Sequence, residues 1–175
     1  KKSTLGESWY AGETLISGIG QGFVLSNPFQ LAVMTSIIAS EGKIIKPTII
    51  KNNGTSFKLN EKYSKEIKIV KKAMFKAVNE NKGTAYKSRL EDIKFSGKTG
   101  TSQVRTISLS ERESDDFRQK EQEWKNRDHA LFVGYTPHDD PQYAISIIIE
   151  HGGSGASTAA PIAKQVFNYI NNLDL

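Results

Sequence analysis

Seven consecutive residues, Ser96-Gly97-Lys98-Thr99-Gly100-Thr101-Ser102, concentrate the chemistry of this 175-residue chain. They follow an apolar approach at Ile93 and Phe95 that reads as the start of a strand. One ammonium group, two threonine hydroxyls and two glycines without side chains are what an edge strand needs to hold an anionic, acyl-bearing substrate. A lone lysine on a strand is ordinarily just solvated, so the weight of this reading rests on its neighbours.

Other groupings carry less. Gly18, Gly20 and Gly22 alternate, but no strand precedes them and their spacing is not that of a dinucleotide-binding turn. Residues 1–25 read as glycine-rich and irregular, and these glycines are expected to form a turn packed closely against another backbone, where a side chain would collide. His129, His138 and His151 are scattered without ligand spacing, so no metal site is expected from this chain. Cysteine is absent, which excludes disulfides and thiolate chemistry.

The blocks around Lys98 resemble those of the class B penicillin-binding proteins, of the penicillin-binding protein 2 type. Lys98-Thr99-Gly100 is one of the three motifs of penicillin-recognising serine enzymes. Trp9-Tyr10-Ala11-Gly12-Glu13-Thr14, Gly18-Ile19-Gly20-Gln21-Gly22 and Pro28-Phe29-Gln30-Leu31-Ala32 match upstream. Gly83-Thr84-Ala85 precedes Lys98 as in that family. Phe132-Val133-Gly134-Tyr135-Thr136-Pro137, Glu150-His151-Gly152-Gly153-Ser154-Gly155 and Ala159-Ala160-Pro161 follow it. The resemblance implies the fold of the C-terminal half of a penicillin-binding transpeptidase, shared with serine β-lactamases. It implies that residues 1–175 are the C-terminal portion of that domain.

Acyl transfer to serine needs an activated hydroxyl, a proton acceptor, an oxyanion hole and a clamp for the substrate carboxylate. The resemblance gives this chain part of the last two. The Thr101 backbone N–H would be one oxyanion donor. The Thr99 and Thr101 hydroxyls would bind the terminal carboxylate of a D-Ala-D-Ala stem peptide or of a β-lactam. Lys98 would lend positive charge. Gly100 would leave room for substrate along the strand, and Gly97 would let the strand approach the nucleophile helix. Catalytic roles thus fall on Lys98 and Thr101, and substrate binding on Thr99, Gly100 and Thr101. No cofactor is implied, and Glu13 and Gln21 receive no chemical role.

Two family motifs are missing. The nucleophile sits in Ser-x-x-Lys, and the one example here, Ser40-Glu41-Gly42-Lys43, lies after the Gly20-Gln21-Gly22 block rather than before it. It also spans an expected helix end at Gly42. No Ser-x-Asn or Ser-x-Asp occurs upstream of Lys98. This chain alone is therefore expected to be inactive, with the nucleophile supplied from upstream. The implied whole is a peptidoglycan D,D-transpeptidase on the periplasmic side of the bacterial inner membrane, anchored upstream of this chain. Its implied partners are the stem peptide, β-lactams and a membrane glycosyltransferase of the elongation machinery. The alternative is a penicillin-recognising sensor or scaffold without catalysis.

Composition narrows the field further. The chain is 37% apolar and 25% charged with a net charge of +5, enough for one modest core. The excess lysines between Lys43 and Lys76 interleave with apolar residues at helical and strand spacing, the pattern of a solvated face. Aromatics do not alternate with them as a stacking platform would require, so nucleic acid is not an expected partner. No apolar run is long enough to span a bilayer.

The elements that must position Lys98 follow from periodicity. Asn27 and Pro28 open a helix whose residues Leu31, Met34, Ile37 and Ile38 share a face, closed by Gly42. Residues 44–50 read as an edge strand carrying Pro47, followed by a turn at Asn52-Asn53-Gly54. A helix is expected over 64–79, with Ile67, Val70, Met74 and Val78 inward. Strand signals run over 93–105, 130–135 and 143–150, the last two joined as a hairpin through Pro137-His138-Asp139-Asp140-Pro141. The charged stretch 107–128 reads as a helical excursion, with Ser110 and Glu113 as capping residues and Phe117 and Trp124 on one face. Ile162, Val166, Phe167 and Ile170 mark a final helix entered through Thr158 and Pro161. The fold class is α+β: an antiparallel three-stranded sheet packed with helices. Its strands are expected to leave Phe132, Val133, Ile145, Ile147 and Ile149 partly bare.

Overall fold

A computed structural model describes residues 6–50, 54–58, 63–104 and 123–173. The first element is a helix, α1 (Ala11–Gly18), in a stretch expected to be irregular. Its start is fixed locally. The Glu13 carboxylate accepts the Tyr10 N–H at 2.6 Å, and the Trp9 indole donates to Thr14 Oγ1 at 2.9 Å. Glu13, which the sequence left without a role, is thus a capping residue.

The next helix, α2 (Pro28–Ala39), begins as expected. Asn27 Oδ1 accepts the Gln30 N–H at 2.9 Å, Gln30 Oε1 accepts the Asn27 N–H at 3.1 Å, and Pro28 fills the first turn. Its end differs in detail. Glu41 takes the left-handed conformation (φ 57°) ahead of Gly42 (φ 97°). The Glu41 and Gly42 N–H groups return to the Ile38 and Ile37 carbonyls, a Schellman closure. The inward residues are Thr35 and Ala39, whereas Met34 is exposed.

Strand β1 (Lys43–Lys46) stops just before Pro47 and pairs antiparallel with β2 (Thr55–Lys58), which the sequence reading lacked. Helix α3 (Ser64–Asn79) has the expected bounds and buries Met74 and Val78. Val70 is exposed, contrary to expectation. Lys71 turns inward instead, and its Nζ donates to the Ala39 carbonyl and to Glu41, both at 3.1 Å.

The main sheet runs β3 (Ser96–Ser102), β4 (His129–Thr136), β5 (Tyr143–Ile149), antiparallel throughout. Gly97 faces Gly134 and Thr101 faces Ala130 in register, while Phe132 faces Ile147. Period-two alternation sends β4 residues to both sides. Ala130 and Phe132 join Val78, Ala85, Phe95 and Phe167, with Ile145, Ile147 and Ile149 against them. Val133 and Tyr135 join Ala39 and Met74. The last helix, α4 (Ala160–Asn171), contributes Ala160, Ala163 and Phe167, and its alanines let it lie close to the sheet. Phe95 stands edge-on to Phe132 at 6.4 Å and tilted to Phe167 at 5.0 Å. Each fully buried Phe stabilises this core by up to about 3 kcal/mol.

Of the residues expected to be partly bare, Phe132 is fully buried, whereas Val133, Ile145, Ile147 and Ile149 are half-buried. Exposed apolar side chains gather instead near the start, at Trp9, Leu15, Ile19, Phe23, Val24 and Leu25. Gly20 is needed for conformation rather than close approach, and Gly22 for conformation with Ile16 Cγ2 at 3.1 Å from an added Cβ. Gly20 and Gly22 take φ of 78° and 80°, and an added Cβ at Gly20 would meet open space. Asn52, Asn53 and Arg105, and residues 107–122 of the charged stretch with Ser110, Glu113 and Phe117, lie outside the described residues.

Candidate functional site

Strand β3 pairs on one side only among the described residues, so it forms the edge of the main sheet. An edge presents backbone N–H and C=O groups to any extended partner. Along this edge Ser96 and Gly97 are buried, while Lys98, Thr101 and Ser102 are exposed and Thr99 and Gly100 are half-buried. The four residues singled out from the sequence thus lie together on an accessible strand.

Their side chains form a short polar chain. Lys98 Nζ donates to the Thr99 carbonyl at 2.7 Å and reaches Thr99 Oγ1 at 3.5 Å. Thr99 Oγ1 in turn donates to Thr84 Oγ1 at 3.0 Å. The ammonium and two hydroxyls make a positively charged, donor-rich surface suited to a carboxylate. The Thr101 hydroxyl meets no partner among the described residues and is free to donate outward.

Thr84 was quoted in a sequence block but given no chemistry. Its backbone is locked on both sides. Gly83 lies so close to the end of α3 that an added Cβ would fall 2.4 Å from the Ala77 carbonyl oxygen. Ala85 is buried, and its N–H donates to that same carbonyl at 2.9 Å. Only the Thr84 side chain remains exposed, and it turns to β3. The usable signal was a glycine-hydroxyl pair just after a helix end.

The strand is held from beneath and behind. A Cβ at Gly97 would meet Phe132 Cζ at 2.1 Å and the Val133 carbonyl at 2.7 Å. Gly97 therefore makes room for the Phe132 ring inside this chain, where the sequence reading assigned its space to a neighbouring helix. Gly100 is less constrained on its own face, with Leu131 Cβ at 3.3 Å from an added Cβ. The turn Gly155–Ala159, a π-type turn before α4, closes on the same place: a Cβ at Gly155 would sit 2.3 Å from the Gly100 carbonyl and 2.4 Å from that of Leu131. Gly155, at the end of the run Gly152-Gly153-Ser154-Gly155, thus buttresses β3 at Gly100.

The entry to β3 is tied equally firmly. Asn79 Nδ2 donates to the Phe95 carbonyl at 2.9 Å. The His138 N–H donates to the Lys94 carbonyl at 2.8 Å, and the His138 ring meets Ser96 Oγ at 2.7 Å. Burial lowers the His138 pKa, with Asp139 opposing and Lys71 assisting, and burial raises that of Tyr135 beside it.

The rejected grouping at Ser40 is explained by geometry. Ser40 Oγ bonds the Ser36 carbonyl at 2.7 Å and the Lys43 carbonyl at 2.9 Å, and Lys43 lies beyond the helix end in β1. Its hydroxyl completes a helix terminus. Two of the three histidines do meet: His129 and His151 stand edge-to-face at 4.8 Å, with Trp124 tilted on His151 at 4.5 Å. Even so, no cluster of three metal-ligating side chains occurs among the described residues.

An antiparallel sheet edged by a Lys-Thr-Gly-Thr strand and backed by a C-terminal helix is the architecture of the penicillin-recognising proteins. The chain belongs to the penicillin-binding protein transpeptidase domain family, which it matches over residues 1–168. It is 31% identical to the peptidoglycan D,D-transpeptidase MrdA of Haemophilus influenzae, over 94% of this chain and 26% of that protein. Its fold superposes on penicillin-binding protein 2 of Helicobacter pylori, solved in complex with MreC, with a TM-score of 0.82. That match has 31% identity and covers 99% of this chain and 30% of the other. Penicillin-binding protein 2 of Pseudomonas aeruginosa, solved in complex with WCK 5153, gives a TM-score of 0.74 and 33% identity, over 99% of this chain and 36% of that one. The chain thus spans roughly a quarter to a third of the length of these relatives.

Proposed function

We propose that this chain supplies the substrate-clamping edge strand of a peptidoglycan D,D-transpeptidase, as the C-terminal portion of its transpeptidase domain. The observation that carries the proposal is the Lys98–Thr99–Thr84 chain of polar groups on the open edge β3. The terminal carboxylate of a stem peptide, or that of a β-lactam, docks on the Thr99 and Thr101 hydroxyls. Lys98 offsets the carboxylate charge and the negative charge that develops as the acyl carbon is attacked. The Thr101 N–H donates to that oxyanion, as a donor fixed in a strand does without reorganising. Gly100 keeps the strand face clear, and Gly155 behind it holds the strand in place. The nucleophilic serine and its base come from elsewhere in the full-length protein, so this chain alone forms no acyl-enzyme. No cofactor takes part.

The Helicobacter pylori relative is solved in complex with MreC, which supports a place for this chain in a multi-protein assembly. There the natural partners are the glycan strand with its stem peptides and a membrane glycosyltransferase, at the periplasmic face of the inner membrane.

The test is acylation of the full-length protein by a fluorescent penicillin, followed on a denaturing gel. Lys98→Ala is expected to slow labelling by about 10²–10³-fold, the loss seen when an oxyanion-type contact is removed. Lys65→Ala, on the exposed face of α3, is expected to label at the wild-type rate. Equal rates for Lys98→Ala and wild type would remove Lys98 from the mechanism. A wild-type protein that never labels would be behaving as a non-catalytic sensor.

A further inference from the structure

His138 lies outside the Lys98–Thr99–Thr84 chain, yet its backbone and its ring both bond to the start of the Lys98 strand. It sits in the hairpin turn after β4. Its N–H holds the Lys94 carbonyl at 2.8 Å, and its Nδ1 lies 2.7 Å from Ser96 Oγ and 3.3 Å from the Tyr135 hydroxyl. The Phe75 ring of α3 packs against the imidazole at 4.5 Å. Ser96 and Tyr135 are register partners in β3 and β4 and are both fully buried. In the neutral imidazole with its proton on Nε2, Nδ1 is the acceptor for one of these hydroxyls. Ser96 is wholly shut off from water. When Nδ1 no longer accepts, no solvent molecule takes over, and the Tyr135 hydroxyl is the neighbour left for Ser96. Lys98 follows two residues later.

We propose that neutral His138 is a positioning residue for the Lys98 strand: its Nδ1 accepts the Ser96 hydroxyl and fixes where β3 begins, and protonation of the ring releases that strand and slows acylation. The proposal rests on the reading that β3 clamps the substrate. The groups facing the ring are known from each side. Asp139 adjoins it in the turn and favours its charged form, while Lys71 of α3 disfavours it. Glu41, Lys68 and Lys72 line the same cavity of about 290 Å³. Tyr135 faces it from β4. Burial outweighs Asp139, so the proton is held off through neutral pH and arrives below the ordinary histidine value of 6.5.

The full-length protein and a fluorescent penicillin test this, with labelling rates taken from about pH 4.5 to about pH 8. His138→Asn keeps an acceptor near the Nδ1 position but cannot titrate. It is expected to match wild type at neutral pH and to exceed it by about fivefold on the acid side, the factor set by one buried hydrogen bond. His138→Leu, lacking the acceptor, is expected to be about fivefold slow at neutral pH. Ser96→Ala, lacking the donor, is expected to be slow as well and to have lost the acid-side fall relative to His138→Asn. If His138→Leu fails to fold, the Asn and Ala variants decide the question. Should His138→Asn fall with acid just as wild type does, the proposal is overturned. Lys98→Ala, run alongside, separates the two ideas. A slow Lys98→Ala with an unaltered His138→Asn profile sinks the positioning role alone, while a wild-type Lys98→Ala rate sinks the clamp reading on which it rests.

Discussion

Gly155→Ala gives the sharpest test of how packing reaches the site. The added methyl carbon would lie 2.3 Å from the Gly100 carbonyl oxygen and 2.4 Å from that of Leu131, where side-chain carbons essentially never come within 3.0 Å. Something must therefore move by about 0.7 Å. The two oxygens belong to β3 and β4, which are register partners at Gly100 and Leu131, so they cannot part without breaking the ladder. The alternative is to lift the turn, which drags the buried Ala159, Ala160 and Phe167 away from the core. Overpacking of this kind costs about 1–3 kcal/mol, and the upper end applies because neither obstacle is a flexible side chain. The part of the shift absorbed by β3 displaces Gly100 between Thr99 and Thr101. A misplacement approaching 1 Å costs on the order of 10²-fold in rate, so a penicillin-labelling rate about tenfold or more below wild type is expected in the full-length protein, together with a lower unfolding temperature. Gly12→Ala is the control: it sits in α1 with open space around its Cβ and should stabilise by about 0.5 kcal/mol. Gly155→Ala with unaltered unfolding and labelling would refute the buttress.

Asn27→Ala should cost about 1 kcal/mol in chemical denaturation, because it removes the Gln30 cap of α2. Lys71→Met should remove the acid-sensitive part of stability that Glu41 contributes. Hydrogen bonding and charge from Lys71 hold the Glu41 carboxyl below its usual value of 4.5, so that contribution is complete above the ordinary carboxylate range and lost as pH falls through the lowered pKa. Unfolding curves for wild type and Lys71→Met should therefore converge in acid, and parallel curves would contradict the pairing. The isolated 175-residue chain should bind hydrophobic dyes and self-associate through Trp9, Leu15, Ile19, Phe23, Val24 and Leu25. A dye-silent monomer in sedimentation would count against that.

The sequence made some elements plain because their determinants are local. Asn27 and Pro28 specify the start of α2 whatever surrounds them, and the apolar alternation of residues 130–135 and 143–150 specifies a hairpin without knowledge of the core. Where the outcome depends on distant partners, sequence reading failed. Val70 has the right spacing to face inward, but the inward place near it is filled by Lys71, because the Ala39 carbonyl and Glu41 wait there. Glycine density suggested an irregular start, while Glu13 caps a helix through it and Thr14 holds the Trp9 indole against its first turn. Phe132, expected to be partly bare, is fully buried because helices pack on the sheet face it points to, a fact of topology that no window of residues contains.

The site divides in the same way. That Lys98, Thr99, Gly100 and Thr101 share one strand was legible because a strand is linear and its residues are neighbours in sequence. What holds that strand was not legible. Phe132 fills the space above Gly97, Gly155 backs Gly100, Thr84 meets Thr99, and His138 meets Ser96. These residues come from four other segments, and each contact depends on a close approach that only a glycine or a small hydroxyl permits. The glycines of the strand therefore carry two constraints at once. In the proposed clamp Gly100 keeps the outer edge open to a substrate, while on the inner face Gly97 admits the Phe132 ring and Gly155 lets its turn close on the Gly100 carbonyl. A substitution at Gly97 must fail on the second count even where the first would tolerate it, since its Cβ would collide with Phe132 before meeting any ligand.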